Sequence, residues 1–207
     1  MSLDDYSSAA DSAFSLAPEL SAESADTSRT PAHAGGGSPI VTVRAMVEGD
    51  KEALAQIMQD SFGDQQWTDR LARMFEECAV TGLVAEHKDE VVGLLLYSPW
   101  GEAAYIAEMA TKPGWRSRGV GDQLMRFMDD LIASKNWRGM WLHVFCTNLR
   151  AQAFYKAHGF EVFGRQPNAY GPGDGNDAYI MISGQGFWED VRARREVYQE
   201  LWKCLDS

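Results

Sequence analysis

From Ile40 onward the apolar and polar positions fall into short periodic runs separated by turn residues. Ile40–Met46 alternates as a strand does, with Val41, Val43 and Ala45 on one side. Lys51–Phe62 and Thr68–Cys78 carry helical spacing, and Leu54, Ile57, Met58 and Phe62 fall on one stripe. Leu83–His87 and Val91–Tyr97 are apolar runs on either side of Lys88-Asp89-Glu90, which reads as a hairpin. Glu102–Thr111 predicts a further strand, and Gly119–Ala133 a helix that buries Leu124, Phe127, Met128 and Leu131. Met140–Cys146 reads as a strand, Asn148–Ala157 as a helix, and Phe160–Phe163 and Ala178–Ile182 as strands. A last amphipathic helix is expected over Phe187–Leu205, with Trp188, Val191, Tyr198, Leu201, Trp202 and Leu205 in its apolar stripe. It would pack on this domain or on a second subunit, which leaves monomer and homodimer both open.

This order of strands, a helix, then strand–helix–strand predicts an α/β fold with a mixed sheet. Parallel neighbours are expected where the Gly119 helix crosses between two strands, with a ligand crevice at their carboxyl ends. Residues 1–39 differ from the rest, being rich in Ser, Ala, Gly and Asp and ending in Ala34-Gly35-Gly36-Gly37-Ser38-Pro39. Such a segment buries too little apolar surface to offset its ordering entropy, so a disordered tail is expected. The division is therefore a tail at 1–39, a domain at 40–185 and the C-terminal helix at 186–207.

Charge and cysteine content narrow the function classes. The tail holds six acids and one base, Arg29, and so carries −5 of the chain's net −11. An acidic chain is a poor nucleic-acid binder, and no apolar run approaches the length of a membrane span. Cys78, Cys146 and Cys204 are few, odd in number and without metal-ligand spacing, so neither a disulfide framework nor a metal site is expected. A reducing, cytoplasmic compartment fits best.

The sharpest local feature is Thr111-Lys112-Pro113-Gly114-Trp115-Arg116-Ser117-Arg118-Gly119-Val120-Gly121-Asp122. A strand ends at Thr111, Pro113 stops it, and a helix starts near Gly119. Glycines let the backbone approach a ligand there, and the helix N-terminus offers unpaired N–H groups and partial positive charge. Arg116 and Arg118 add cations. It is neither a Walker loop nor the dinucleotide fingerprint.

Arg116-x-x-Gly119-x-Gly121 after a strand resembles the coenzyme A signature of the GNAT acyltransferase superfamily. Asn148-x-x-Ala151-x-x-x-Tyr155-x-x-x-Gly159-Phe160 resembles the second half of that pattern at the usual separation. The resemblance covers roughly Val41 to Ser183. It implies a GNAT fold: a mixed, mostly antiparallel sheet of six to seven strands, splayed at the cofactor crevice, with flanking helices. It also implies acetyl-CoA as donor, with coenzyme A as product and no metal. The pyrophosphate would lie on the amides of Arg116, Ser117, Arg118, Gly119, Val120, Gly121 and Asp122, and pantetheine beside Met109, Ala110 and Thr111. Asn148, Ala151 and Tyr155 would complete the cofactor contacts, Asn148 also serving as a helix N-cap.

Acetyl transfer to an amine needs an unprotonated nucleophile, a polarised thioester carbonyl and a proton for the departing thiolate. The resemblance places Tyr155 as the acid. For the base, His143 lies in an otherwise apolar strand and titrates nearest neutral pH. Tyr105 and His143, with Asn148 and Phe154-Tyr155, look like the eukaryotic enzymes that acetylate Met-starting protein N-termini. There the equivalent tyrosine and histidine act through ordered water. The bacterial ribosomal-protein enzymes have a glutamate where His143 stands. Glu108, on the strand of Tyr105, is a rival base, giving the order His143, Tyr105, Glu108.

For the acceptor, Asn168-Ala169-Tyr170 and Asp177-Ala178-Tyr179-Ile180-Met181 resemble the substrate hairpin of protein N-terminal acetyltransferases, with Ala169 replacing a tyrosine. Phe62 and Trp67 would form the opposite wall. The leading expectation is an N-acetyltransferase acting on a protein N-terminal α-amine, with lysine as a further acceptor, by direct attack in a ternary complex. A small-molecule amine (polyamine, aminoglycoside or amino acid) and a non-catalytic acyl-CoA-binding module are the alternatives.

Overall fold

The computed structural model describes residues 41–63, 67–77 and 80–193. The tail at 1–39, Cys78, Cys204 and the helical stripe beyond residue 193 lie outside the described residues.

Among the described residues, seven strands form one sheet: β1 (Thr42–Ala45), β2 (Thr81–His87), β3 (Glu90–Trp100), β4 (Ala103–Thr111), β5 (Gly139–Phe145), β6 (Glu161–Gln166) and β7 (Ala178–Ser183). Five described α-helices flank it: α1 (Lys51–Phe62), α2 (Trp67–Glu77), α3 (Val120–Ser134), α4 (Leu149–Ala157) and α5 (Gln185–Ala193). The strand order is β1-β2-β3-β4-β5-β7-β6. Every neighbouring pair is antiparallel except β4 and β5. That one parallel pair follows from the crossover through α3, since a helix lies between the two strands.

The β2–β3 turn is tighter than the sequence suggested. His87 pairs with Glu90, so only Lys88 and Asp89 form the loop, both at positive φ (48° and 65°). Two consecutive left-handed residues match the right-handed twist of the flanking strands.

Alternation along the strands sends side chains to opposite faces. Leu83, Ala85, Leu95, Ala104 and Ile106 pack with Leu124, Met125 and Met128 of α3. Val84, Leu94 and Leu96 pack with Leu54, Ile57 and Met58 of α1 and Leu71 of α2. Trp141, Ile180 and Ile182 take Phe187, Trp188 and Val191 of α5 on the far half of the sheet. The described part of the C-terminal helix therefore packs within the chain, with Trp188 and Val191 fully buried. Phe127 departs from the expected stripe, being 38% exposed, while Met125 is buried. The buried stripe runs through 124, 125 and 128, and Phe127 sits on its flank. No helix among the described residues is long and apolar enough to cross a membrane.

Candidate active site

The feature that makes a site is the way β4 and β5 part. They pair only from Ala103↔Gly139 to Ile106↔Leu142, although β4 continues to Thr111 and β5 to Phe145. A β-bulge lies at the same point: Leu96 of β3 pairs with Glu108, and Tyr97 with Ile106, so Ala107 is the extra residue. Bulges bend a strand and raise its twist, which carries the carboxyl half of β4 away from β5. A cavity of about 190 Å³ opens in the gap, lined by residues including Ile106, Glu108, Met109, His143, Asn148 and Tyr155.

On one side of the gap the chain turns from β4 into α3. Ser117 (φ 60°) and Gly119 (φ 78°) are left-handed, and Gly119 stands at the N-cap with no side chain capping the helix. The first N–H groups of α3 are therefore not taken by a cap, and an anion is their natural acceptor. A Cβ on Gly121 would stand 3.1 Å from the Phe154 ring and 3.4 Å from Met109 Cε, so glycine lets α3 start hard against both. Arg116 donates to Ser61 Oγ (3.2 Å) and Arg150 to Ser117 Oγ (3.1 Å). The Arg118 guanidinium lies 5.6 Å from the Trp115 ring centre. Uncapped amides, a glycine approach and three arginines suit a pyrophosphate and its neighbouring phosphate. Asn148 caps α4, accepting the Ala151 N–H at 3.0 Å, and also lines the cavity.

The other side is built from side chains. Glu108 pairs with Arg70 of α2 (Nη2–Oε1 3.1 Å), and each side chain is only 18% exposed. The Arg70 guanidinium lies 4.4 Å over the Trp67 ring, which itself meets Phe62 at 5.7 Å. Tyr170 stacks on Phe145 with centroids 3.6 Å apart and planes 17° from parallel. It is held by the loop after β6, where Asp177 accepts the Asn168 N–H (2.9 Å) and Tyr170 N–H reaches Asn176 O (3.1 Å). Ala169 is turned inward and buried, so Tyr170 alone supplies an aromatic ring from that triplet.

His143 sits between these parts. Its Nε2 meets Gln166 Oε1 at 2.7 Å, and its Nδ1 lies 3.5 Å from the Tyr105 hydroxyl. With Nε2 donating to the amide oxygen, Nδ1 is left as acceptor for the tyrosine. Burial pushes His143 down to about 4, opposed by the Gln166 contact. Burial pushes Glu108 up to about 7, with Arg70 pulling the other way. Tyr155 and Tyr170 are raised by burial and by the Glu108 charge, so both keep their protons at neutral pH.

The sequence-predicted residues Phe62, Trp67, Glu108, Met109, His143, Asn148, Ala151, Tyr155 and Tyr170 all line the cavity. Ala110 is buried against α1, and Tyr105 stands behind the lining with its hydroxyl 3.5 Å from His143 Nδ1. Arg70, Phe145 and Gln166 were missed. Arg70 had a signal, since three residues after Trp67 on a helix is the same face. Gln166 had none, because its contact spans 23 residues.

Residues 51–160 match the acetyltransferase (GNAT) family profile. The chain belongs to the GNAT acetyltransferase family. It is 36% identical over 78 residues to a putative [ribosomal protein bS18]-alanine N-acetyltransferase of Bacillus subtilis, covering 38% of this chain and 51% of that protein. It is 31% identical over 74 residues to streptothricin acetyltransferase of Streptomyces lavendulae, covering 36% of this chain and 39% of that one. The chain thus spans about half or less of the curated relatives it matches. The ribosomal-protein-S18-alanine N-acetyltransferase structure from Escherichia coli superposes with a TM-score of 0.63 at 21% identity, over 70% of this chain and 93% of that one. The GNAT fold, with its seven-stranded and mostly antiparallel sheet, is the one expected. Acetyl-CoA is the donor that the GNAT acetyltransferase family uses.

Proposed function

We propose that the chain transfers an acetyl group from acetyl-CoA to a primary amine, with a protein N-terminal α-amine as the favoured acceptor. What supports this most is the convergence of Glu108, His143, Tyr155 and Tyr170 on one cavity, at the point where β4 leaves β5. Bound acetyl-CoA supplies an electrophilic thioester carbonyl and a thiolate leaving group. Around it the chain provides three things.

The N-terminus of α3 and the residues Arg116 to Asp122 hold the diphosphate, with Met109 to Thr111 beside the pantetheine arm. Glu108 accepts the proton of the incoming ammonium. We place Glu108 ahead of His143, because a carboxylate near 7 takes an ammonium proton far better than an imidazole near 4. His143, tied to Gln166 and Tyr105, then serves as a positioning group for the amine or its water. Tyr155 keeps its hydroxyl proton at neutral pH and delivers it to the departing sulfur.

Tyr170 and its stacked partner Phe145 form the cover expected for an extended peptide, opposite Phe62 and Trp67. The similarity to a ribosomal-protein-alanine enzyme favours the peptide reading. The similarity to streptothricin acetyltransferase keeps a small amine as the second reading. Incubation of the protein with labelled acetyl-CoA and a peptide pool, followed by mass spectrometry, tests it. Acetylated α-amines are expected, and Tyr155→Phe should lower kcat at least a hundredfold with little change in coenzyme affinity. Turnover on small amines with none on any peptide would overturn the peptide reading. Unimpaired turnover by Tyr155→Phe would overturn the acid assignment.

A further inference from the structure

We propose that Arg70 is a specificity-determining residue that selects acceptors bearing a carboxylate close to the reacting amine. The inference rests on the acyl-transfer reading of the same cavity.

Among the described residues lining the cavity, Arg70 and Glu108 are the only charged side chains, and they are paired with each other at 3.1 Å. With Glu108 ionised, as it must be to act as base, the cavity therefore starts neutral. An ordinary ammonium entering it leaves one positive charge uncompensated in a poorly solvated space, which is costly. Moving that proton onto Glu108 does not help, because the Arg70 charge then stands alone. An acceptor with its own carboxylate balances the sum at both stages. Before transfer, two anions face two cations. After transfer, the carboxylate and Arg70 remain as a pair beside two neutral groups.

The hydrogen-bond inventory agrees. One guanidinium nitrogen, Nη2, reaches Glu108, and 18% of the Arg70 side chain remains exposed where it lines the cavity. A guanidinium carries five donors in a fork that matches a carboxylate. Its position is fixed as well, because the guanidinium lies 4.4 Å over Trp67, which is only 4% exposed. Phe62 and Trp67 would take the aliphatic stem that joins the carboxylate to the amine. The chain's net charge of −11 repels anions at long range. A preference for them must therefore arise inside the cavity.

Two sources share this chemistry: an acidic first residue of a polypeptide, and the α-carboxylate of a free amino acid. The test compares isosteric acceptor pairs with the wild-type protein: peptides starting with Asp or Asn, peptides starting with Glu or Gln, and a free amino acid beside its amide. The carboxylate member should have a kcat/KM higher on the order of tenfold or more, mainly through KM. Which pair shows the preference identifies the source. Arg70→Gln should abolish it and Arg70→Lys should retain part of it, with thermal melting confirming that both are folded. Equal use of each pair by the wild type would overturn the proposal, as would a preference that survives Arg70→Gln. These results leave acyl transfer standing. Should no acceptor turn over, the acyl-transfer reading fails, and calorimetric titration of the same pairs into protein saturated with coenzyme A decides on Arg70. Equal affinities there overturn it too.

Discussion

The two walls of the crevice are made of different material. The donor wall is backbone: a left-handed turn at Ser117 and Gly119 opening an uncapped helix. The acceptor wall is side chains drawn from α2, β4, β5 and the loop after β6, and it includes a partly buried ion pair. Under the proposed function, backbone presented by a glycine turn recognises what every acyl-CoA has in common. Side chains from four elements can be changed one at a time, which is where acceptors are distinguished. Substitutions should separate the two walls cleanly.

The largest separation is expected at Glu108. Glu108→Gln should lower kcat/KM for the acceptor by about a hundredfold to ten-thousandfold, leaving the KM for acetyl-CoA within a few-fold. The wild-type rate should rise with pH through about 7, because the carboxyl must lose its proton to act. That limb should vanish in the variant. A matching loss of coenzyme affinity would break the distinction between the walls.

A stability effect of the next size is expected at His143. Its folded-state value near 4 lies below the ordinary 6.5, so the unfolded chain takes up the proton first as pH falls. Stability that is full above 6.5 is then lost between 6.5 and 4, by up to roughly 3 kcal/mol. Urea unfolding at pH 7 and pH 4 should show the wild type losing more than His143→Gln, by up to that amount.

On the donor wall, Gly119→Val should raise the KM for acetyl-CoA about tenfold, since a β-branched residue at φ 78° costs about 1–2 kcal/mol. Acceptor preference should not move. The smallest effect belongs to Tyr170→Leu, which removes a stacked pair worth about 0.5–1.5 kcal/mol. The acceptor KM should rise several-fold, with acetyl-CoA kinetics unchanged.

The same division decides how much was legible in the sequence. The donor wall is contiguous: strand end, proline, arginines, glycines and helix start occupy Thr111–Asp122, so each part could be read beside the next. The strands were readable from their alternation, and the parallel pairing of β4 and β5 from the crossover helix. Asn148 was readable because an N-cap is a local event, and its side chain does accept the Ala151 N–H. The acceptor wall joins positions far apart. Arg70 meets Glu108 across 38 residues, and Gln166 meets His143 across 23. No periodicity encodes such pairs. Nor does a sequence carry the burial that raises the proton affinity of Glu108 and lowers that of His143, on which the proposed order of bases rests. Phe127 was misplaced for a smaller reason: the helical stripe is wide enough that its edge can be assigned to the wrong side.

The short parallel pairing of β4 and β5 has a mechanical consequence. The two strands share four rungs, Ala103 to Ile106, and then diverge, so they act as a wedge with its fulcrum in the core. Ala103 and Ala104 at that fulcrum are fully buried and small. Extended chain advances about 3.3 Å per residue, so the five residues from Ala107 to Thr111 form a long arm. A slight change of angle at the alanines is therefore magnified at the mouth. The width of the opening is thus tied to the bulge at Ala107, just beyond the last shared rung.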